Sequence, residues 1–385
     1  MKSIIKKYLP SFLVSYLIKY IKNKPVENFF KKKYKNKVLI SYVVEPFNKS
    51  SLSHTVFFEA MTAAEIFDEL GYQVDVIQYD MIKKNLEKYD VIFGFGETIE
   101  YFYSHKYSNN TKVIIYSTGM HQFFQNVKTL QRVKELQKEK SAWLINSARL
   151  TDFSWFRQIV LSDAVITLGN MEVKKTFEPF YMGELYPLNA PFYKIRDYQE
   201  VGEKSPNAHL SYVWFGSSGL VHKGLDLCLD FFKQNPDLIL HVCGPIENEP
   251  DFVSRYHDEL FNTKNIYNHG FVDINSEKFN EILRSSYFAI FPSCSEGGSP
   301  SLLTVIGNGA MIPVMTKAAS IDVPNACYIE KLTIAGIECA VNESQNIIQE
   351  KLFKKAQENA EFVINNNSLE NYRKNLKEIL EQSLI

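Results

Sequence analysis

The sequence predicts an α/β protein of two doubly wound, Rossmann-like domains, each built on a parallel sheet. Three observations lead there. At 385 residues the chain exceeds what a single hydrophobic core ordinarily serves, so two domains are the default. Strongly apolar runs of strand length alternate with segments of helical periodicity, as in parallel sheets covered on both faces. The alternation pauses between Tyr186 and His209 and then restarts.

The elements follow in order. Lys37–Val44 is an apolar run that predicts a buried strand, and Thr55–Leu70 has helical spacing and stops at Gly71, a C-cap. Strands are expected at Gln73–Gln78, Asp90–Gly94, Lys112–Tyr116 and Asp163–Thr167. The stretch from Tyr186 to His209 carries Pro187, Pro191, Gly202 and Pro206 among many charges and is expected to be a linker. Beyond it, strands are expected at Tyr212–Phe215, Leu238–Val242, Phe288–Phe291 and Met311–Met315. Helices are expected at Leu225–Phe232, Phe252–Phe261, Ser276–Ser286, Ile347–Asn365 and Leu369–Leu384. The expected division is an arm at 1–36, a first domain at 37–190, a second at 207–365, and a closing helix at 366–385 that packs back on the first domain.

The formal net charge of −1 hides an asymmetry. Residues 1–37 hold eleven lysines and one glutamate, while the remainder holds 32 basic and 43 acidic residues. The apolar stretch Ser11–Ile18 is too short to span a membrane and has no small-residue cleavage site. An amphipathic helix lying on an anionic membrane surface is the expectation. The lysines gather at one end without a base-reading module, which argues against nucleic acid. Five cysteines, none in metal-binding spacing, argue for a reducing compartment. Together these give a cytoplasmic protein, peripheral on the inner face of the cell membrane.

Ligands of doubly wound domains bind at the C-terminal ends of strands. In Tyr212-Val213-Trp214-Phe215-Gly216-Ser217-Ser218-Gly219 the turn is small and glycine-rich, and Lys223-Gly224 precede the next helix. Glycines let backbone amides approach phosphate, and Lys223 with the helix N-terminus adds positive charge. A second turn, Phe291-Pro292-Ser293-Cys294-Ser295-Glu296-Gly297-Gly298-Ser299, pairs amides with the carboxylate of Glu296, an acceptor for sugar hydroxyls. Plain strand-to-helix turns also favour Gly and Ser, and Glu296 alone would suit a helix N-terminus. In the first half, His121 follows the strand at Lys112–Tyr116 and is a candidate for contact with donor or acceptor, or for a general base. His54 at a helix start and Glu97 at a strand end are further candidates for phosphate or acceptor. His222 is expected only to shape its loop, and Lys128–Lys140 to be a solvated helix face. No Asp-x-Asp triplet occurs, which fits a site without a metal ion.

Lys223-Gly224-Leu225-Asp226, Gly270-Phe271-Val272, Pro292–Ser299, and Gly309 with Ile312-Pro313-Val314 together resemble the C-terminal half of the GT-B glycosyltransferases of family 4. Gly169-Asn170 is similar to that group as well. The resemblance implies the GT-B fold, with the first domain for acceptor and the second for a nucleotide sugar, UDP or GDP being the nucleotide, and no other cofactor. Lys223 would hold the diphosphate and Glu296 would orient the donor sugar. The amides of Gly297, Gly298 and Ser299 would support both, and Asn170 would lie near the acceptor or phosphate. Transfer would be metal-independent and retaining, onto a glycan or lipid-linked acceptor in surface polysaccharide synthesis. The family's usual second glutamate is Thr304 here, and the arginine usual in the phosphate loop gives way to Ser217 and Ser218. These departures leave a second reading open, a degenerate GT-B-like binding or scaffold subunit. A sugar-nucleotide epimerase on the same fold is a third.

Overall fold

The structure, a computed structural model, describes residues 23–105, 110–201 and 203–385. By contacts the chain groups into two compact units. One comprises residues up to Tyr116 with Ser154–Val165 and Leu376–Ile385; the other comprises Ser117–Phe153 with Ile166–Asn375.

The first sheet contains β1 (Asn36–Tyr42), β2 (Tyr72–Gln78), β3 (Val91–Gly94), β4 (Lys112–Ser117), β5 (Ala164–Leu168) and β6 (Glu184–Leu188). The strand order is β2-β1-β3-β4-β5-β6. Val38 of β1 lies opposite Val74 of β2 and Val91 of β3, in parallel register. Residues 38–42 are all buried, because helices cover such a sheet on both faces. The helices that fall between these strands in sequence are α1 (Val56–Glu69), α2 (Glu97–Ser104), α3 (Gln122–Lys140), α4 (Phe156–Leu161) and α5 (Met171–Phe177), of which α3 and α5 group with the second unit. In α1, buried Glu59 accepts hydrogen bonds from the hydroxyls of Tyr42 and Tyr116 at 3.0 and 2.9 Å.

The second sheet contains β7 (Ser211–Phe215), β8 (Ile239–Cys243), β9 (Ile266–Gly270), β10 (Phe288–Phe291), β11 (Ile312–Met315) and the short β12 (Cys327–Tyr328). Its order is β12-β11-β10-β7-β8-β9. The helices are α6 (Leu225–Gln234), α7 (Pro250–Arg255), α8 (His257–Phe261), α9 (Glu277–Arg284), α10 (Pro300–Gly309), α11 (Ile334–Gln345) and α12 (Gln349–Asn367); α13 (Leu369–Leu384) follows, and from Leu376 on it groups with the first unit. One cluster of buried side chains, with Trp214, Phe232, Leu240 and Ile290 among them, ties β7, α6, β8 and β10 together.

The expected strands are present within one to two residues, and the chain is α/β with two parallel six-stranded sheets. Three expectations are corrected. The linker reading began inside β6. Pro187 signalled a break, but β6 is a sheet edge, where a missing N–H costs no ladder bond. β9 and β12 were not expected: β9 carries the polar run Tyr267-Asn268-His269, and β12 is two residues long. Arg132 was expected on a solvated face, yet it is 4% exposed and pairs at 2.7 Å with buried Asp226 of α6.

Residues 1–22, which hold most of the expected membrane arm, lie outside the described residues. Where the description begins, the chain runs along the body. Val26 forms an antiparallel bridge with Val76, and Lys32 pairs with Asp68 at 2.6 Å. Among the described residues no helix is long and apolar enough to cross a membrane.

Candidate active site

In the second sheet the strand order reverses between β7 and β10. Such a switch point leaves a crevice at the strand C-termini, because the helices following the two strands lie on opposite faces. The turn after β7 carries Lys223 and the turn after β10 carries Glu296.

These two side chains meet. Lys223 Nζ donates to Glu296 Oε1 at 2.5 Å, and Ser293 Oγ donates to the same oxygen at 2.7 Å. Lys223 is 3% exposed and Glu296 6%. The ammonium also lies 5.3 Å from the centre of the Phe291 ring, a favourable cation–π distance. Arg149 Nη1 stands 3.6 Å from Glu296 Oε2. Burial alone would raise the pKa of Glu296, but Lys223, then Arg149 and His222, hold it down at about 2. Burial pulls Lys223 below the ordinary lysine range, with Glu296 working against that shift. The site therefore holds a carboxylate that is ionised at neutral pH.

His222 shapes the loop, as expected. Its Nε2 is 2.6 Å from the Ser295 carbonyl, which can only accept, so Nε2 carries the proton. Nδ1 then accepts from the Cys294 thiol at 3.5 Å. Burial pushes this imidazole down to about 3, so it is neutral at neutral pH. The Cys294 amide donates to the His222 carbonyl at 3.0 Å. One histidine thus stitches the two turns together.

The glycines are explained by close approach. Gly224 caps α6 with φ 68°, and a Cβ there would collide with the Pro292 carbonyl. A Cβ on Gly297 would collide with the Thr118 carbonyl, and one on Gly298 would lie 2.6 Å from the Ala190 methyl. In the first turn the Gly216 amide donates to Cys243 O at 2.9 Å. The amides of Gly219 and Leu220 donate to the carboxylate of Glu249 at 2.5 and 3.1 Å. Ser217 and Ser218 are the exposed part of that turn.

The other expected residues divide into two groups. Ser299 caps α10 and donates to Ala319 O at 2.6 Å; Thr304 Oγ1 donates to Pro300 O within its own helix at 2.7 Å. Asn170 caps α5, accepting from the Glu172 amide at 3.0 Å and donating to Asp322 at 2.8 Å. His121 caps α3 with its ring stacked 4.2 Å from Phe180; it is fully buried, and burial lowers it to about 4. Its neighbours Thr118 and Gly119 touch Gly297 through backbone, while the ring is turned into the aromatic cluster. His54 and Glu97 belong to the first unit. His54 is exposed at the start of α1, and half-buried Glu97 opens α2 after Gly96.

A cavity of about 1030 Å³ opens beside Ser293 and Cys294, lined by Phe123, Phe124 and Phe180 and bordered by Lys128, Lys175 and Lys317. Sequence reasoning missed Arg149 and Glu249. Neither stands in a motif, and each reaches the turn from a distant part of the chain.

No protein-family model matches the sequence, and no curated protein matches it. Solved structures do. Sucrose-phosphate synthase of Thermosynechococcus elongatus matches over 90% of this chain and 98% of its own, at 10% identity and TM-score 0.60. HepE of Anabaena, in complex with UDP and glucose, matches over 91% and 100%, at 11% identity and TM-score 0.55. A glycosyltransferase of Rickettsia africae matches over 91% and 99%, at 14% identity and TM-score 0.56. At such identities the likeness is one of fold, and the chain has the GT-B fold.

Proposed function

We propose that this chain is a glycosyltransferase that moves a sugar from a nucleotide sugar, UDP being the nucleotide, to a glycan or lipid-linked acceptor. The observation that carries the proposal is the Lys223–Glu296 pair at the strand switch point of the second sheet. It puts an ammonium and an ionised carboxylate side by side, one chemistry for a diphosphate and the other for sugar hydroxyls. The structures with UDP or UDP-glucose bound share the fold.

On this reading Glu296 accepts hydrogen bonds from the donor sugar and Lys223 supports the departing diphosphate. Catalysis is electrostatic stabilisation of the leaving group plus positioning. The leaving phosphate takes the acceptor's proton as the new bond forms on the same face, giving retention without a metal. The aromatic cavity beside Ser293 suits an amphiphilic acceptor, rings for the apolar or sugar part and lysines for its phosphate. The lysine-rich first 37 residues suit an anionic membrane surface, and on this reading the enzyme works at the cytoplasmic face of the membrane. On the same reading, 37–190 serves the acceptor and 207–365 the donor.

Incubation with a panel of UDP- and GDP-sugars and lipid-linked acceptors tests this. Transfer or slow donor hydrolysis is expected, falling at least about a hundredfold in Lys223→Ala, as for loss of a donor aimed at developing charge. No turnover with any donor would sink the enzyme reading. A binding or scaffold role is favoured by Thr304, whose hydroxyl is spent on Pro300 O. Nucleotide binding by calorimetry without turnover would establish that role instead.

A further inference from the structure

We infer that Arg149 meets the donor diphosphate alongside Lys223, as a second cation needed because the charge of Lys223 is balanced by Glu296. The inference rests on the nucleotide-sugar reading above and assigns a second phosphate contact to a residue outside both turns.

Three observations converge. Lys223 is buried and bonded to Glu296, so that pair sums to zero charge. Three amides of the glycine turn are engaged within the protein: Gly216 on Cys243, Gly219 and Leu220 on Glu249. Arg149 is 49% exposed at its side chain, and its Nη1 lies 3.6 Å from Glu296, an ion pair longer than a hydrogen bond. Lys223 and Glu296 cancel and His222 is neutral, while the Glu249 carboxylate is turned to the Gly219 and Leu220 amides, so Arg149 is the half-exposed cation of the cluster.

The guanidinium is held in place. Its stem lies on Gly219, where a Cβ would come within 2.6 Å of Arg149 Cγ, and Gly219 has φ 90°. Its backbone is pinned to α3. The Arg149 amide donates to Thr129 Oγ1 at 3.2 Å, and its carbonyl accepts from Gln125 at 3.0 Å. Two residues earlier, the Ser147 carbonyl accepts from the His222 amide at 3.2 Å. A planar five-donor fork suits two phosphates better than a point charge. Ser217 and Ser218 stand exposed in the same turn as further hydroxyl donors. Glu249 is then a positioning residue, fixing the turn on which Arg149 rests.

The experiment is calorimetric titration of UDP, and of GDP as a second probe, into the full chain and its Arg149→Gln, Arg149→Lys and Arg149→Ala variants at two salt concentrations. Gln keeps a stem on Gly219 and removes the charge. Arg149→Gln and Arg149→Ala are expected to weaken UDP by about tenfold or more, with a shallower salt dependence; Arg149→Lys restores part of the loss. If Arg149→Gln binds UDP as the unaltered protein does, the inference is overturned and the proposed function stands. If the unaltered protein binds neither UDP nor GDP, the proposed function itself falls.

Discussion

Lys223 and Lys204 both lose water to the second unit, and they are compensated in opposite ways. Lys204 donates to three main-chain carbonyls, Leu283 at 2.6 Å and Ser286 and Gly309 at 2.7 Å. Those bonds use every proton of its ammonium. Leu283 lies in the last turn of α9 and Gly309 ends α10, where unpaired carbonyls gather negative partial charge. Lys204 is therefore a helix cap shared by two helices and has nothing left to offer a ligand. Lys223 meets an acid at a strand switch point, while both ammoniums have a ring beside them, Phe291 at 5.3 Å and Tyr287 at 5.4 Å. On the proposed function, the difference separates a cation that only holds the fold from one that serves a ligand. Neutral, geometrically complete acceptors mark the first, and a charged partner at a crevice marks the second.

The largest effect is expected at Lys223. Replacement by Met leaves buried Glu296 with only the half-exposed Arg149 at 3.6 Å as counter-ion, which costs about 3 kcal/mol in urea unfolding. The double variant Lys223→Met/Glu296→Gln should recover most of that stability and none of the turnover. If Lys223→Met unfolds at the same urea concentration as the unaltered protein, the pair is not what the geometry implies. The acid side of the stability curve carries the same information. The folded pKa of Glu296, about 2, is below its unfolded value of 4.5. In that window the unfolded chain binds more protons, so the carboxylate's contribution is complete above about pH 4.5 and lost as pH falls toward 2. The Glu296→Gln variant should lack this limb.

Lys204→Met comes next and sharpens the contrast. It strips three carbonyls of their donor, and about 2–3 kcal/mol of stability should go with them. Nucleotide affinity and turnover of the remaining folded protein should be unchanged. A loss of UDP binding would show that the two lysines are not separable in this way.

How much of this was legible in the sequence follows from range. Strand-length apolar runs with small turns are local, so β7, β10 and both turns were found, with Lys223 and Glu296 on them. The turns' glycines were read for phosphate, but Gly297 and Gly298 are also required by Thr118 and Ala190, which no local pattern reveals. His121 was legible as a strand-end residue. Its ring orientation depends on Phe177 and Phe180, more than fifty positions on. Arg149 and Glu249 were invisible for the same reason, since each acts on Gly219 from another element. Pro187 misled because a sequence does not say which strand is an edge.

The smallest effect is expected at Lys377, which sets the floor of the comparison. Its Nζ lies 3.1 Å from Glu69, as good a geometry as many buried pairs, but the two side chains are 40% and 43% exposed. Water already solvates both charges, so pairing recovers little desolvation energy, and ordering two long side chains costs entropy. Such pairs are worth about 0–1 kcal/mol. Lys377→Ala should shift urea unfolding by less than about 0.5 kcal/mol, and added salt should erase even that. A loss comparable to that of Lys204→Met would mean that distance, rather than the surroundings of the charge, governs these lysines. The distinction between Lys204 and Lys223 would then lose its basis.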